Sequence, residues 1–352
     1  MDASPLRDSR RGAGIGRYVS SMLAALSERD DIDLHSVTTL LPPARDTWAI
    51  RWLNAQPGLA LARARHPGVI LHGMASEASI AWPPERQVVT LHDVIPWTMD
   101  IRTMPTRRHI AYQASRLRRC AAIIADSETA GAEALERLNL DRSRVHVAAA
   151  GVDAVFSAAP DSQDEATRRR LGVPDGAYVL WVGSLRHRDP RKALDVLMDA
   201  MTQAGDATLV MAGAPGTESS RLAASAADLG LRLVMPGFVP DAELAALYRG
   251  AGVAAVPSLH EGFGLPVLEA LACGAPVVAT TAGNLPDLAG GAAILVQPGD
   301  SAALAKALSG LLNNPAERSR LAGAGPGVAS AYSWSRAAEM TVAVYREVLG
   351  ID

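Results

Sequence analysis

Short apolar runs alternate with stretches of helical periodicity along most of this 352-residue chain. The runs are Gly68 to His72, Gln87 to His92, Ala121 to Ala125, Arg144 to Ala149, Tyr178 to Val182, Ala207 to Ala212, Leu231 to Met235, Ala251 to Val256, Pro276 to Thr280 and Ala293 to Val296. Runs of this kind, apolar throughout rather than at every second residue, suit strands covered on both faces of a parallel sheet. Between them, period-3.6 patterns predict helices from Tyr18, up to Leu138, over Ser219 to Leu229, over Asp241 to Arg249, from Ser301 onward and over Ser335 to Leu349. Strand-helix units repeated in both halves imply two doubly wound α/β domains. Met1 to Pro5 is short for a first strand, Leu34 to Leu40 reads as a second short strand, and the text from Pro42 to Gly58, with Trp48 and Trp52, reads as irregular. A linker rich in Ala, Ser, Asp and Pro falls at Ala154 to Glu165.

The most informative stretch is Pro257 to Gly274, PSLHEGFGLPVLEALACG. The strand before it ends near Pro257, Gly262-Phe263-Gly264 makes a turn, and Pro266 is expected at the first position of a helix reaching about Cys273. Glycines let the backbone approach a ligand with its N–H groups aimed at it, and the helix dipole adds positive potential there, so an anion is expected. Glu261 and Glu269 flank the turn with seven residues between them. Acceptor-only carboxylates on either side of a diphosphate suit two sets of hydroxyls, a sugar at one end and a ribose at the other. Taken alone, the pair reads more plainly as a loop Glu and a helix-favouring Glu.

In its context, the text from His260 to Asp300, HEGFGLPVLEALACGAPVVATTAGNLPDLAGGAAILVQPGD, resembles the retaining nucleotide-sugar glycosyltransferases of family 4. The resemblance extends over nearly the whole chain. It implies the GT-B fold, two Rossmann-like α/β domains facing across a cleft, an acceptor-side domain at 1–155 and a donor-binding domain at 165–334, with the helix at 335–352 crossing back onto the first. By resemblance, Glu261 binds donor sugar hydroxyls, the N–H groups of Phe263, Gly264 and Leu265 bind the diphosphate, and Glu269 binds the ribose. The text RHRDPRKAL resembles the family's GSLEPRKNL, which makes Lys192 the diphosphate cation, with Arg191 as a weaker second, Arg186 and Arg188 behind it, and Ser184 where many relatives carry Arg. By the same resemblance, the GIGRY loop places Gly14 and Gly16 beneath the diphosphate and Val239 lines the base pocket, while Asp241 either caps a helix, the plainer reading, or touches the nucleobase. His92 ends a strand in LHDVIPW, where ligands of parallel sheets collect; many family members carry a donor-contacting His there, and Asp93 is expected to orient its ring or cap the loop. The family normally opens with a full strand ahead of text like DASPLR, which makes the first strand here look clipped.

Other signals exclude more than they add. Counting from Gly12, the sixth position of a G-x-G-x-x-G motif is Arg17, so a dinucleotide fingerprint fails. Asp31-Ile32-Asp33 reads as a turn and cap rather than as a metal ligand set. Net charge is −3 with 49% hydrophobic residues, which disfavours disorder and nucleic-acid binding. Two widely separated cysteines, Cys120 and Cys273, suit a reduced, cytoplasmic protein. Neither a signal segment nor a membrane-length apolar run stands out. Arg107, Arg108, Arg116, Arg118 and Arg119, in the stretch Arg102 to Cys120, make one candidate surface for anionic membrane lipid at the inner face, against the plainer reading of a solvated helix.

The expected chemistry is transfer of a sugar from a nucleoside diphosphate to a hydroxyl acceptor, with helix N-termini, Lys192 and His92 stabilising the leaving group and no metal or cofactor required. Retention of configuration follows from the resemblance alone; no carboxylate nucleophile is evident. VTLHDVIPW and GSL…PRK read closer to mannosyltransferases of polysaccharide assembly, so GDP-mannose is the first donor, UDP-sugars remain open, and the acceptor is unreadable. An epimerase would need a second acid at the sugar carbon, and a non-catalytic nucleotide-sugar binder is the remaining alternative.

Overall fold

The computed structural model describes residues 1–8, 14–39, 48–98 and 104–351. The chain divides into two compact units, Met1–Gly151 with Trp334–Asp352, and Val152–Ser333.

In the first unit, β1 (Leu71–Gly73), β2 (Gln87–Leu91), β3 (Ala122–Ala125) and β4 (Val145–Val147) form a parallel sheet in chain order. Asp2 adds one bridged residue beside Gly73 and bridges Val37 on its other side. The Asp2 N–H donates to the His72 carbonyl at 2.9 Å, and the Ala3 N–H to that of Val37 at 2.7 Å. The expected strand at Leu34 to Leu40 is thus a single rung at Val37, with Leu40 outside the described residues, and the opening segment turns at once into a 3-10 turn, Ser4–Arg7. Across the sheet the order becomes Val37, Asp2, β1, β2, β3, β4, so the winding reverses between Asp2 and β1.

The text expected to be irregular from Pro42 to Gly58 includes a helix, Trp48–Arg65. Pro57 and Gly58 mask it, yet Trp52, Ala55 and Leu59 recur at helical spacing and are buried, and the Trp52 indole donates to the Ala78 carbonyl at 2.9 Å. Its start at Pro42 lies outside the described residues. The last helix, Trp334–Leu349, packs on Gly14–Ser27, with the Tyr18 and Trp334 rings edge to face at 5.4 Å and Arg346 on Asp31 at 2.7 Å. Arg29 holds the same carboxylate, which accounts for Asp31 as a structural residue.

The second unit carries β5 (Tyr178–Val182), β6 (Thr208–Ala212), β7 (Leu233–Gly237), β8 (Val253–Val256), β9 (Val277–Thr280) and β10 (Ala293–Val296). They are all parallel, in the order β7-β6-β5-β8-β9-β10. This is the doubly wound 3-2-1-4-5-6 order, and direction reverses between β5 and β8. Both faces are covered, with Val179, Leu197, Leu209, Val253, Val278 and Leu308 among the fully buried residues.

The ends of β5 and β6 approach so closely that a Cβ at Gly213 would lie 1.6 Å from the Gly183 carbonyl oxygen. Gly213→Ala is therefore expected to destabilise the second unit by about 3 kcal/mol. Urea unfolding of the full chain reads this directly; an unchanged midpoint would show that the two strand ends separate without cost.

Candidate functional site

At the reversal point, the chain leaving β8 meets the chain leaving β5. Gly264 caps the helix Leu265–Ala272 in a left-handed conformation (φ 104°), and a Cβ there would sit 2.7 Å from Leu285. Leu265 takes the first helical position and Pro266 the second, one later than expected. The N–H groups of Phe263, Gly264 and Leu265 find no acceptor among the described residues. Three successive donors without acceptors at a helix start suit anion binding. The loop is held from behind: Phe263 is buried with its ring against Tyr332 at 6.0 Å, and the Asn284 amide donates to its carbonyl at 3.2 Å. Gly283 (φ 55°) lies so near Glu261 that its Cβ would fall 2.0 Å from the Glu261 carbonyl oxygen.

Lys192 and Glu261, named from separate stretches, are brought together. Lys192 ends a 3-10 turn, Pro190–Lys192, and its Nζ donates to Glu261 Oε2 at 2.8 Å. Ser258 Oγ donates to the same oxygen at 3.0 Å, Thr280 Oγ1 donates to the Ser258 carbonyl at 2.5 Å, and the Leu259 N–H donates to the Arg191 carbonyl at 2.6 Å. Lys192 keeps 27% of its side chain exposed and Glu261 15%, so both reach solvent. Glu269 is buried, with Oε2 accepting from the Tyr248 hydroxyl at 3.1 Å.

The other expected contacts differ. Arg191 turns away and chelates Asp189 at 2.9 and 2.7 Å, because that carboxylate also caps its own turn. Ser184 is exposed and its Oγ faces the Arg186 N–H at 3.4 Å, while Arg188 pairs with Asp195. Val239 is buried; its neighbour Phe238 is the side chain exposed at the end of β7. Ser258 and Thr280 were missed, because small hydroxyls beside a strand end carry no sequence signal of their own.

In the first unit, Gly14 and Gly16 lie inside the helix Gly14–Ser27, which starts before the expected Tyr18; Gly12 lies outside the described residues. His92 stands just past β2. Its Nδ1 meets Asp126 Oδ2 at 3.0 Å and its Nε2 meets the Met74 carbonyl at 3.1 Å. The orienting carboxylate is Asp126, not Asp93, whose Oδ1 accepts from the Ile95 N–H at 3.0 Å. Nothing in the text around Asp126 marks it as the partner of His92; its neighbour Ser127 caps the next helix, accepting from the Ala130 N–H at 3.0 Å. Burial opposes charge on His92, yet the Asp126 hydrogen bond and charge with the Met74 carbonyl outweigh it and raise the ring above its ordinary value.

The basic stretch is less free than its text. Its described helix is Met104–Leu117, Arg116 donates to the Ser79 and Trp82 carbonyls, and Arg118 to that of Leu138. Arg107, Arg108 and Arg119 are exposed, and Arg102 lies outside the described residues. Both cysteines are buried, which pushes each thiol up to about 12. Among the described residues no helix is long and apolar enough to cross a membrane.

Residues 14–156 match the family described as "Glycosyltransferase Family 4", and residues 176–314 match "Glycosyl transferases group 1". The D-inositol 3-phosphate glycosyltransferase of Salinispora arenicola is 36% identical over 250 residues, 64% of this chain and 55% of that protein. The chain thus spans little more than half the length of that relative. D-inositol 3-phosphate glycosyltransferase 1 of Catenulispora acidiphila is 29% identical over 99% of this chain and 80% of its own. The structure of Anabaena HepE in complex with UDP and glucose is similar with a TM-score of 0.75 at 20% identity, over 95% of this chain and 96% of that one. This likeness speaks for the fold, which is GT-B.

Gly264→Ala strains a left-handed cap and pushes on Leu285. Nucleoside diphosphate binding measured by calorimetry is expected to weaken at least about tenfold, since that is only 1.4 kcal/mol; undiminished affinity would remove the turn from the site.

Proposed function

This chain belongs to the group 1 glycosyltransferases of family 4, and from that premise we propose that it transfers a hexose from a nucleoside diphosphate donor to an acceptor hydroxyl. The observation that carries the reading is the Lys192–Glu261 contact where β5 and β8 diverge, followed along the chain by three N–H groups with no acceptor among the described residues.

In the proposed complex the diphosphate takes the N–H groups of Phe263, Gly264 and Leu265 and draws Lys192 away from Glu261. Glu261, still held by Ser258, then accepts from sugar hydroxyls, and Glu269, fixed by Tyr248, presents its other oxygen to the ribose. Preorganised N–H dipoles and the Lys192 charge stabilise the departing diphosphate, so no metal is required. The acceptor oxygen bonds to the anomeric carbon as the bond to the phosphate oxygen breaks, and the acceptor proton passes to that phosphate. Attack on the face the diphosphate leaves retains configuration.

The text around β2 and Lys192 favours GDP-mannose, while the UDP and glucose named with the Anabaena structure favour a UDP-hexose. Names of the two relatives favour a phosphorylated polyol as acceptor over a growing polysaccharide. Buried free thiols suit a reducing, cytoplasmic setting. A binding-only protein is the second reading, favoured by Ser184 and by Arg191 being tied to Asp189.

Nucleoside diphosphate release from GDP-mannose and UDP-hexoses, with and without inositol phosphate and in the presence of a chelator, tests this. One donor is expected to turn over at a rate the chelator leaves unchanged, and Glu261→Ala to reduce it about 100-fold. Binding without release from any donor would support the binding-only reading.

A further inference from the structure

Three neighbouring strand ends hold the His92 ring. Leu91 pairs with Ala125 in the β2–β3 ladder, so His92 and Asp126 stand one rung beyond it, and Met74 follows β1 on the other side. Both groups facing the ring nitrogens are acceptors, a carboxylate at 3.0 Å and a carbonyl at 3.1 Å. A neutral imidazole carries one N–H and can satisfy only one of them; an imidazolium satisfies both. The carboxylate lies deeper, with 4% of its side chain exposed against 12% for the ring, so the pair turns its positive end outward.

We propose that Asp126 is a positioning residue which keeps His92 doubly protonated at the end of β2, so that this ring offers an anionic oxygen a fixed cation and not a proton acceptor. The test with a nucleotide-sugar donor rests on the function proposed above; the charge state does not. Neighbouring groups leave the charge to this pair. His72 on β1 is pulled down by burial to about 3 and sits neutral between the Tyr345 hydroxyl at 2.6 Å and Thr90 Oγ1 at 2.7 Å. Tyr18, edge-on to His92 at 4.6 Å, and Tyr345 are both pushed up by burial and stay protonated. Asp93, next along the chain, adds a second negative charge that favours the imidazolium. An anion reaching Nε2 replaces the Met74 carbonyl as acceptor, and the proton stays on the ring.

Asp126→Asn keeps an acceptor for Nδ1 but removes the charge, so Nε2 loses its proton at neutral pH and presents a lone pair to the anion. The sign follows: a raised imidazole value means that charge, and the binding it supports, is present at low pH and lost as pH rises through that value.

The test is a nitrogen-15 histidine titration of the full chain, with the His92 signal assigned through His92→Gln, alongside donor affinity against pH. The wild type is expected to show two protonated His92 nitrogens at pH 7 and a midpoint above the ordinary ~6.5. Asp126→Asn is expected to lower that midpoint by at least one pH unit, to weaken donor binding about tenfold at pH 8, and to recover it below pH 6. A loss of packing would not be repaired by acid. A wild-type His92 found neutral at pH 7, or an unchanged midpoint in the variant, overturns the proposal. Should the variant not fold, the wild-type titration decides alone. Should no donor bind, the titration still judges Asp126, and the proposed function fails separately.

Discussion

A parallel sheet wound in both directions leaves an opening where the winding reverses, because the helices on either side of that point diverge to opposite faces. In the second unit the reversal lies between β5 and β8, and the loops leaving these two strands carry Lys192 and Glu261. The rest of the site follows from closing that opening only in part. Gly283 and Asn284 back the Glu261 loop, Gly264 bends the chain into the helix, and the N–H groups of Phe263, Gly264 and Leu265 are left without acceptors among the described residues. An arrangement made for stability alone would cap them, since a capping side chain contributes on the order of 1 kcal/mol.

The Lys192–Glu261 pair fits the same account. Both side chains reach solvent, and pairs of this kind contribute about 0–1 kcal/mol. The fold does not depend on it, so a diphosphate can displace it cheaply. The Arg249–Asp164 pair of the same unit is the contrast. Only 11% and 12% of its side chains are exposed, its two hydrogen bonds are bidentate, and Asp164 is held below its ordinary value by the Arg249 hydrogen bond. That pair is mortar between the helices Asp164–Arg170 and Asp241–Gly250, whereas the one at the switch point is exchangeable.

Local signals were legible in the sequence and non-local partners were not. Uniformly apolar runs gave the strands, and the glycine turn with its flanking glutamates marked the candidate anion site, because both are written in consecutive residues. Arg191 looked available as a second, weaker cation beside Lys192, yet a carboxylate two residues away captures it. Asp93 looked like the partner of His92 by adjacency, whereas Asp126 reaches it from the next strand, thirty-four residues on, through sheet register. The helix Trp48–Arg65 was hidden by Pro57 and Gly58, although the buried positions around Trp52 follow helical spacing. Gly14 and Gly16 read as loop because glycine is a poor helix former, and the helix forms through packing of Tyr18, Val19 and Met22.

The central claim is that the opening between β5 and β8 is a diphosphate site. Calorimetry of the full chain with UDP and GDP against uridine and guanosine, in the wild type and in Lys192→Ala, tests it most directly. The account predicts that one diphosphate binds at least about tenfold more tightly than its nucleoside, a difference of 1.4 kcal/mol, and that Lys192→Ala removes most of that advantage. Equal affinity for nucleoside and diphosphate, or an advantage untouched by the loss of Lys192, would contradict it.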